Sequence, residues 1–134
     1  TFVTDATGSF TAPFLTPGTY TVTLTVKDEW GATGSVSKTV TIAKPAGNVA
    51  PTPVINPPAC SGLTCNISGV GSADPNTGDT FTYLWNFGDG TPTSTSSAIA
   101  HTFPSAGTWT VTLTVRDGWG DTNTTTRAVT VTSP

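Results

Sequence analysis

One imidazole, eight acidic side chains and two cysteines are most of what this 134-residue chain offers to conventional catalysis. A hydrolase needs a nucleophile beside a general base, or two carboxylates facing one reacting atom. His101 has no Ser/Asp pair spaced to complete a triad with it, and in the run His-Thr-Phe its expected role is a structural hydrogen bond near a sheet edge. Asp74, Asp79, Asp89, Asp117 and Asp121 lie in loop sequence, where an aspartate commonly caps its own turn. Turn capping is the expectation. The competing one is calcium at Asp74 and Asp89, joined by Asn76 or Asn86, because that ion takes oxygen ligands from loops. No other cofactor is expected, and no catalytic residue.

Cys60 and Cys65 stand in Ala-Cys-Ser-Gly-Leu-Thr-Cys-Asn, a spacing that suits neither a redox CxxC pair nor a zinc knuckle. A single histidine leaves too few soft ligands for structural zinc. A small loop closed by a disulfide is the expectation, which implies an oxidising compartment; two free thiols in a cytosolic protein are the alternative. Of the four tryptophans, Trp85 sits among alternating aromatics and reads as a core anchor, and Trp109 takes the inward place that Tyr20 holds earlier in the chain. Trp30 and Trp119 lie instead in turns, between an aspartate and a glycine. Rings there either pack against a neighbouring domain, the expected role, or stack on sugars. Asn66-Ile67-Ser68 and Asn123-Thr124-Thr125 are glycosylation sequons.

These residues are positioned by strands. Thr108, Thr110, Thr112 and Thr114 alternate with Trp109, Val111, Leu113 and Val115, the pattern of a half-buried strand. Phe81, Tyr83, Trp85 and Phe87 form another one-faced row, which the glycines of Asn86-Phe87-Gly88-Asp89-Gly90 turn sharply. Further strands are expected over 64–70, 99–103 and 125–132, with short ones at 51–56 and 10–14. No helical period of useful length occurs, and dense Thr and Val disfavour helix. The fold class is all-β, with turn signals spaced as in a sandwich.

Much of this is written twice. Residues 17–33 read PGTYTVTLTVKDEWGAT and residues 106–122 read AGTWTVTLTVRDGWGDT, a step of 89 residues. Such a repeat predicts a tandem of domains. The expected organisation is 1–43 as the C-terminal part of one domain, 44–50 as a proline-containing linker, and 51–134 as a complete domain. The net charge of −3 and the scattered cations Lys27, Lys38, Lys44, Arg116 and Arg127 offer no stripe for a phosphate backbone, so nucleic acid is not an expected partner. No apolar run is long enough to insert in a membrane, and TFVTDATGSF lacks the character of a signal peptide, so any export signal is expected outside this segment.

The run YLWNFGDG, then HTF, then AGTWTVTLTVRDGWGDT and RAVTV resembles the polycystic kidney disease (PKD) repeat domain. The resemblance covers 51–132 for a whole domain and 8–43 for part of another, and its signature residues here are Trp85, Phe87, Gly88, Asp89, Gly90, His101 and Phe103. It implies an immunoglobulin-like sandwich in an extracellular or cell-surface protein, as a non-catalytic spacer, assembly or adhesion module. The alternative is a carbohydrate-binding accessory module of a secreted hydrolase, using Trp30 and Trp119. Expected partners are neighbouring domains of the same kind, copies of the same protein, or extracellular polysaccharide. Some members bind calcium near the carboxylates of this region. The chain departs from the family pattern at Asn86, where an aspartate is usual, and at the turn tryptophans.

Overall fold

The computed structural model describes residues 16–133, and all the regular structure among them is β. The chain divides into two units, Thr1–Ala46 and Gly47–Pro134. The strand expected at 10–14 lies outside the described residues.

In the first unit β1 (Gly18–Lys27) and β2 (Thr33–Ile42) form an antiparallel hairpin, paired from Gly18↔Ile42 to Lys27↔Thr33. Its threonines do what their alternation predicts. They occupy one face, where the hydroxyls of Thr23 and Ser37, and of Thr25 and Ser35, meet at 2.8 Å across the strands. The connecting turn is built by Asp28, whose Oδ1 accepts from the amides of Trp30 (2.9 Å) and Ala32 (2.8 Å).

The second unit is a sandwich of two antiparallel three-stranded sheets, the immunoglobulin-like architecture expected. One holds β3 (Ala59–Ser61), β4 (Thr64–Ser68) and β6 (Ala98–Thr102) in the order β3-β4-β6; the other holds β5 (Phe81–Asn86), β7 (Gly107–Asp117) and β8 (Thr122–Val131) in the order β5-β7-β8. The inward positions of these strands supply the core: Cys65 and Ile67 from one sheet, Trp85, Val111, Leu113, Val115, Val129 and Val131 from the other, with Phe87 and Phe103 beside them. Trp85 is fully buried, and its indole Nε1 donates to Ser96 O at 2.8 Å, so the ring enters the core with its one polar group satisfied. Gly69 runs so close to this core that a Cβ there would lie 3.0–3.1 Å from the side chains of Tyr83, Leu113 and Trp85. Trp109 is half-buried and stacks on Phe103, ring centroids 5.7 Å apart.

Cys60 and Cys65 are joined by a disulfide across the β3–β4 hairpin, where they are direct cross-strand partners, and Gly62 supplies the positive φ (60°) of the connecting turn. Two expectations are corrected. Residues 51–56 form no strand, only the bridge Thr52↔Ala73 and a bond from Asn56 N to Ser68 O, since Pro51 and Pro53 have no amide to donate. The linker expected over 44–50 is shorter at its C-terminal side, because residues 47–49 hydrogen-bond into the second unit.

Candidate functional site

The turn Asn86–Gly90 starts from geometry that only glycine tolerates. Gly88 has φ 76°, and a Cβ on it would lie 2.5 Å from Thr110 O, so the turn packs directly on the backbone of β7. Asn86 Oδ1 accepts from Gly88 N (2.9 Å), which is the capping an aspartate would perform at this place. The turn then presents Asp89. Its Oδ1 accepts from Thr91 Oγ1 (2.6 Å) and Thr91 N (3.1 Å), and its Oδ2 meets His101 Nε2 at 2.7 Å. His101 lies flat on Phe87, with centroids 3.7 Å apart and 6° between planes, and meets Phe103 edge-on at 4.7 Å. Burial pushes the Asp89 carboxyl up, but donation from Thr91 and His101 outweighs it and holds the group below its ordinary value.

A hydroxyl, a carboxylate and an imidazole in hydrogen-bonded sequence invite comparison with a catalytic triad, yet the order is wrong. Here the carboxylate stands between the hydroxyl and the imidazole, so His101 cannot take the proton from Thr91. With Asp89's side chain fully buried, the arrangement locks a turn to a strand.

A second polar cluster forms where the β7–β8 turn meets the start of the unit. Asp117, only 4 % exposed, accepts at Oδ1 from the amides of Trp119 (2.9 Å) and Asp121 (2.8 Å). This repeats the Asp28 turn atom for atom. Asn48 Nδ2 donates to Asp117 Oδ2 (2.7 Å) and to Asp121 Oδ2 (2.9 Å). Burial raises the Asp117 carboxyl, but donation from the Asn48 side chain and from the amides of Asp121, Trp119 and Gly120 outweighs it and holds the group below its ordinary value. Beside this, Asn76 Oδ1 accepts from Val49 N (2.7 Å), Asn76 Nδ2 donates to Gly47 O (3.0 Å), and Asp74 Oδ1 accepts from Asn76 N (2.8 Å). Sequence reasoning placed Asn48 in the linker and missed this cluster; the signal available was the second aspartate of Asp117-Gly-Trp-Gly-Asp121, an acceptor with no counterpart at Ala32.

Asp74 and Asp89 are not brought together, since one belongs to the Asn76 loop and the other to His101 and Thr91. Among the described residues no group of three or more histidine, cysteine or acidic side chains is arranged to hold a metal. Two oxygens are nonetheless buried without a partner, Asn48 Oδ1 and Asp74 Oδ2. Asn48 lies in the 47–49 segment, and Asp74 caps the loop of Asn76 that hydrogen-bonds to it.

The turn tryptophans part company. Trp30 is 88 % exposed, whereas Trp119 is half-buried. A groove of about 730 Å³ along β5 and β7 is lined by Phe81, Tyr83, Leu84, Thr95, Thr114 and Arg116, among others, and carries no carboxylate, imidazole or thiol.

Comparison with known proteins extends this picture. A stretch of 43 residues is 54 % identical to Collagenase ColA of Bacillus cereus, covering 32 % of this chain and 4 % of the collagenase. Among solved structures, the PKD1 domain of Vibrio anguillarum Epp matches with a TM-score of 0.58 and 36 % identity, over 65 % of this chain and 99 % of that one. The PKD1 domain from the Vibrio cholerae metalloprotease PrtV matches with a TM-score of 0.56 and 33 % identity, over 63 % of this chain and 100 % of that one. The family model for the PKD domain matches residues 48–132. That span begins at Asn48, which ties the start of the second unit to its last turn, and ends just past β8: through its second unit, this chain belongs to the PKD domain family.

Proposed function

We propose that this chain is a non-catalytic extracellular segment, in which PKD-type sandwiches in tandem serve as spacers or assembly elements of a secreted or cell-surface protein. The observation that carries the reading is the use to which the reactive side chains are put. His101, Asp89 and Asp117 are buried and engaged in fastening turns to strands. The disulfide supports an oxidising compartment. The solved relatives are single domains, one of them from a metalloprotease, and the collagenase match is a small part of a much longer protein. Both fit a module carried beside a catalytic domain. The 89-residue repeat supports the tandem arrangement.

A second reading, a carbohydrate-binding accessory module, is favoured by one observation: the flat ring of Trp30 is 88 % exposed. The two are separated by affinity electrophoresis of the purified chain through gels containing soluble polysaccharides. The spacer reading expects unchanged mobility for the native chain and for Trp30→Ala; retardation that Trp30→Ala abolishes would establish the sugar platform instead.

A further inference from the structure

The two hairpins of this chain are the same object in different surroundings. Each residue of β1–β2 has a partner in β7–β8 at the same register, from Gly18↔Ile42 and Gly107↔Val131 onward. Even a small back-bond recurs. Tyr20 OH donates to Thr16 O (2.6 Å), and Trp109 Nε1 donates to Ser105 O (3.2 Å). Yet Leu113 and Val115 are wholly buried, while their equivalents Leu24 and Val26 are 43 % and 59 % exposed, and Val36 on β2 is 65 % exposed. The edges differ too. β7 is flanked by β8 and β5, with Phe81↔Asp117 and Asn86↔Thr112 at the limits of the β5 pairing, whereas β1 pairs with β2 alone among the described residues. Projected onto the first hairpin, that pairing falls on Thr23–Asp28.

We infer that β1–β2 is the closing hairpin of a further sandwich, and that its apolar face and the free edge of β1 along Thr23–Asp28 dock a half-sandwich of the chemistry of residues 51–103. The docked half would bring an aromatic strand like β5, for the edge, and an apolar strand like β4, for the face. Its source is the same polypeptide, on the N-terminal side of β1. The second unit gives the reason, since all the strands that cover or flank β7–β8 precede it in the chain. Arg127 Nη1 donates to Ile55 O at 3.1 Å across that interface, and Lys38 stands at the equivalent place, with a cation to offer an incoming carbonyl. The inference rests on the tandem reading above and deepens it by naming the face, the edge and the partner.

The test is a transplant within the full chain, replacing residues 107–131 by a copy of residues 18–42. If β1–β2 is a closing hairpin, the chimera unfolds in one cooperative transition within about 10 °C of the native second unit, with the emission of a buried Trp85. Introducing Leu113→Asp into the chimera then abolishes that transition, while Leu24→Asp in the native chain shifts it by less than about 2 °C. Loss of cooperative unfolding in the chimera, when the single changes Trp109→Tyr and Arg116→Lys retain it, would overturn the inference. So would light scattering that finds the native chain dimeric and Leu24→Asp monomeric, because the face would then belong to a second copy. Gel retardation by a polysaccharide bears on the spacer reading and leaves these outcomes untouched.

Discussion

Replacing Asn48 by alanine should melt the second unit far more than a change in an exposed linker could. The side chain makes two charge-assisted hydrogen bonds, to Asp117 Oδ2 at 2.7 Å and Asp121 Oδ2 at 2.9 Å, and Asp117 is buried. A hydrogen bond to a charged group contributes about 1.5–3 kcal/mol. The two bonds share one donor nitrogen and are not additive, so the expected loss is about 2–4 kcal/mol. For a domain of this size that is a fall of about 10–25 °C in melting temperature, read by circular dichroism or calorimetry. The effect has a pH signature. Asp117 is held below its ordinary 3.8, so folding favours its deprotonated form. Such a group contributes stability in full above its unfolded-state value, and that contribution is lost as the pH falls through the folded-state value. Asn48 supports the depression, so the gap between native and Asn48→Ala proteins should be widest near neutrality and narrow below about pH 4. Asn48→Asp should be no better than alanine, because it sets a third carboxylate against two. Melting of Asn48→Ala within about 1 °C of native at pH 7 would refute this account and return residues 47–50 to the linker.

Gly88→Ala must satisfy both a left-handed φ and a 2.5 Å approach to Thr110 O, and should cost about 2–4 kcal/mol by thermal melting; Gly90→Ala, with nothing within 4 Å of its Cβ, should cost less. Reducing the Cys60–Cys65 bridge should lower the melting temperature without unfolding the unit, since a loop this short constrains the unfolded chain by less than the roughly 3 kcal/mol of a 15-residue loop. Complete loss of the far-UV β signal in reductant would contradict a local staple.

What could be read from the sequence was local. The Thr/Val alternation of β7, the aromatic row ending in Trp85 and the cysteine pair around a glycine each carry their structure within a few residues. What escaped was long-range or masked by composition. Asn48 meets Asp117 across 69 residues, and its surroundings of Pro, Ala and Gly look like a linker. The three-residue β3 is too short to show an alternation. In 51–56 the inward rhythm is real, since Pro51 and Ile55 are buried, but the same prolines that fill the core cannot donate to a ladder. The two turn tryptophans have near-identical neighbours and identical capping, yet one is exposed and the other half-buried. Their local sequence specifies the turn; only the rest of each unit decides what the ring meets.

The position of Asn48 also determines how the second unit would behave as a link in a tether. At its start the unit is fastened at Gly47 to Asn76 and at Asn48 to the β7–β8 turn, and it is last paired at Val131, opposite Gly107, at the far end of the same hairpin. Tension would therefore enter at one end of β8 and leave at the other, separated by about 34 Å at the usual rise of a strand. Force along that line runs through the backbone of β8, so the links that carry it in series are the hydrogen bonds of Gly47, Asn48 and Val49, which must give way together. Stretching the unit by its two ends in an optical trap is expected to give a single abrupt rupture, and gradual unzipping at low force would contradict it. In a spacer of the kind proposed above, the buried side chains that cap the turns would then carry load as well as shape.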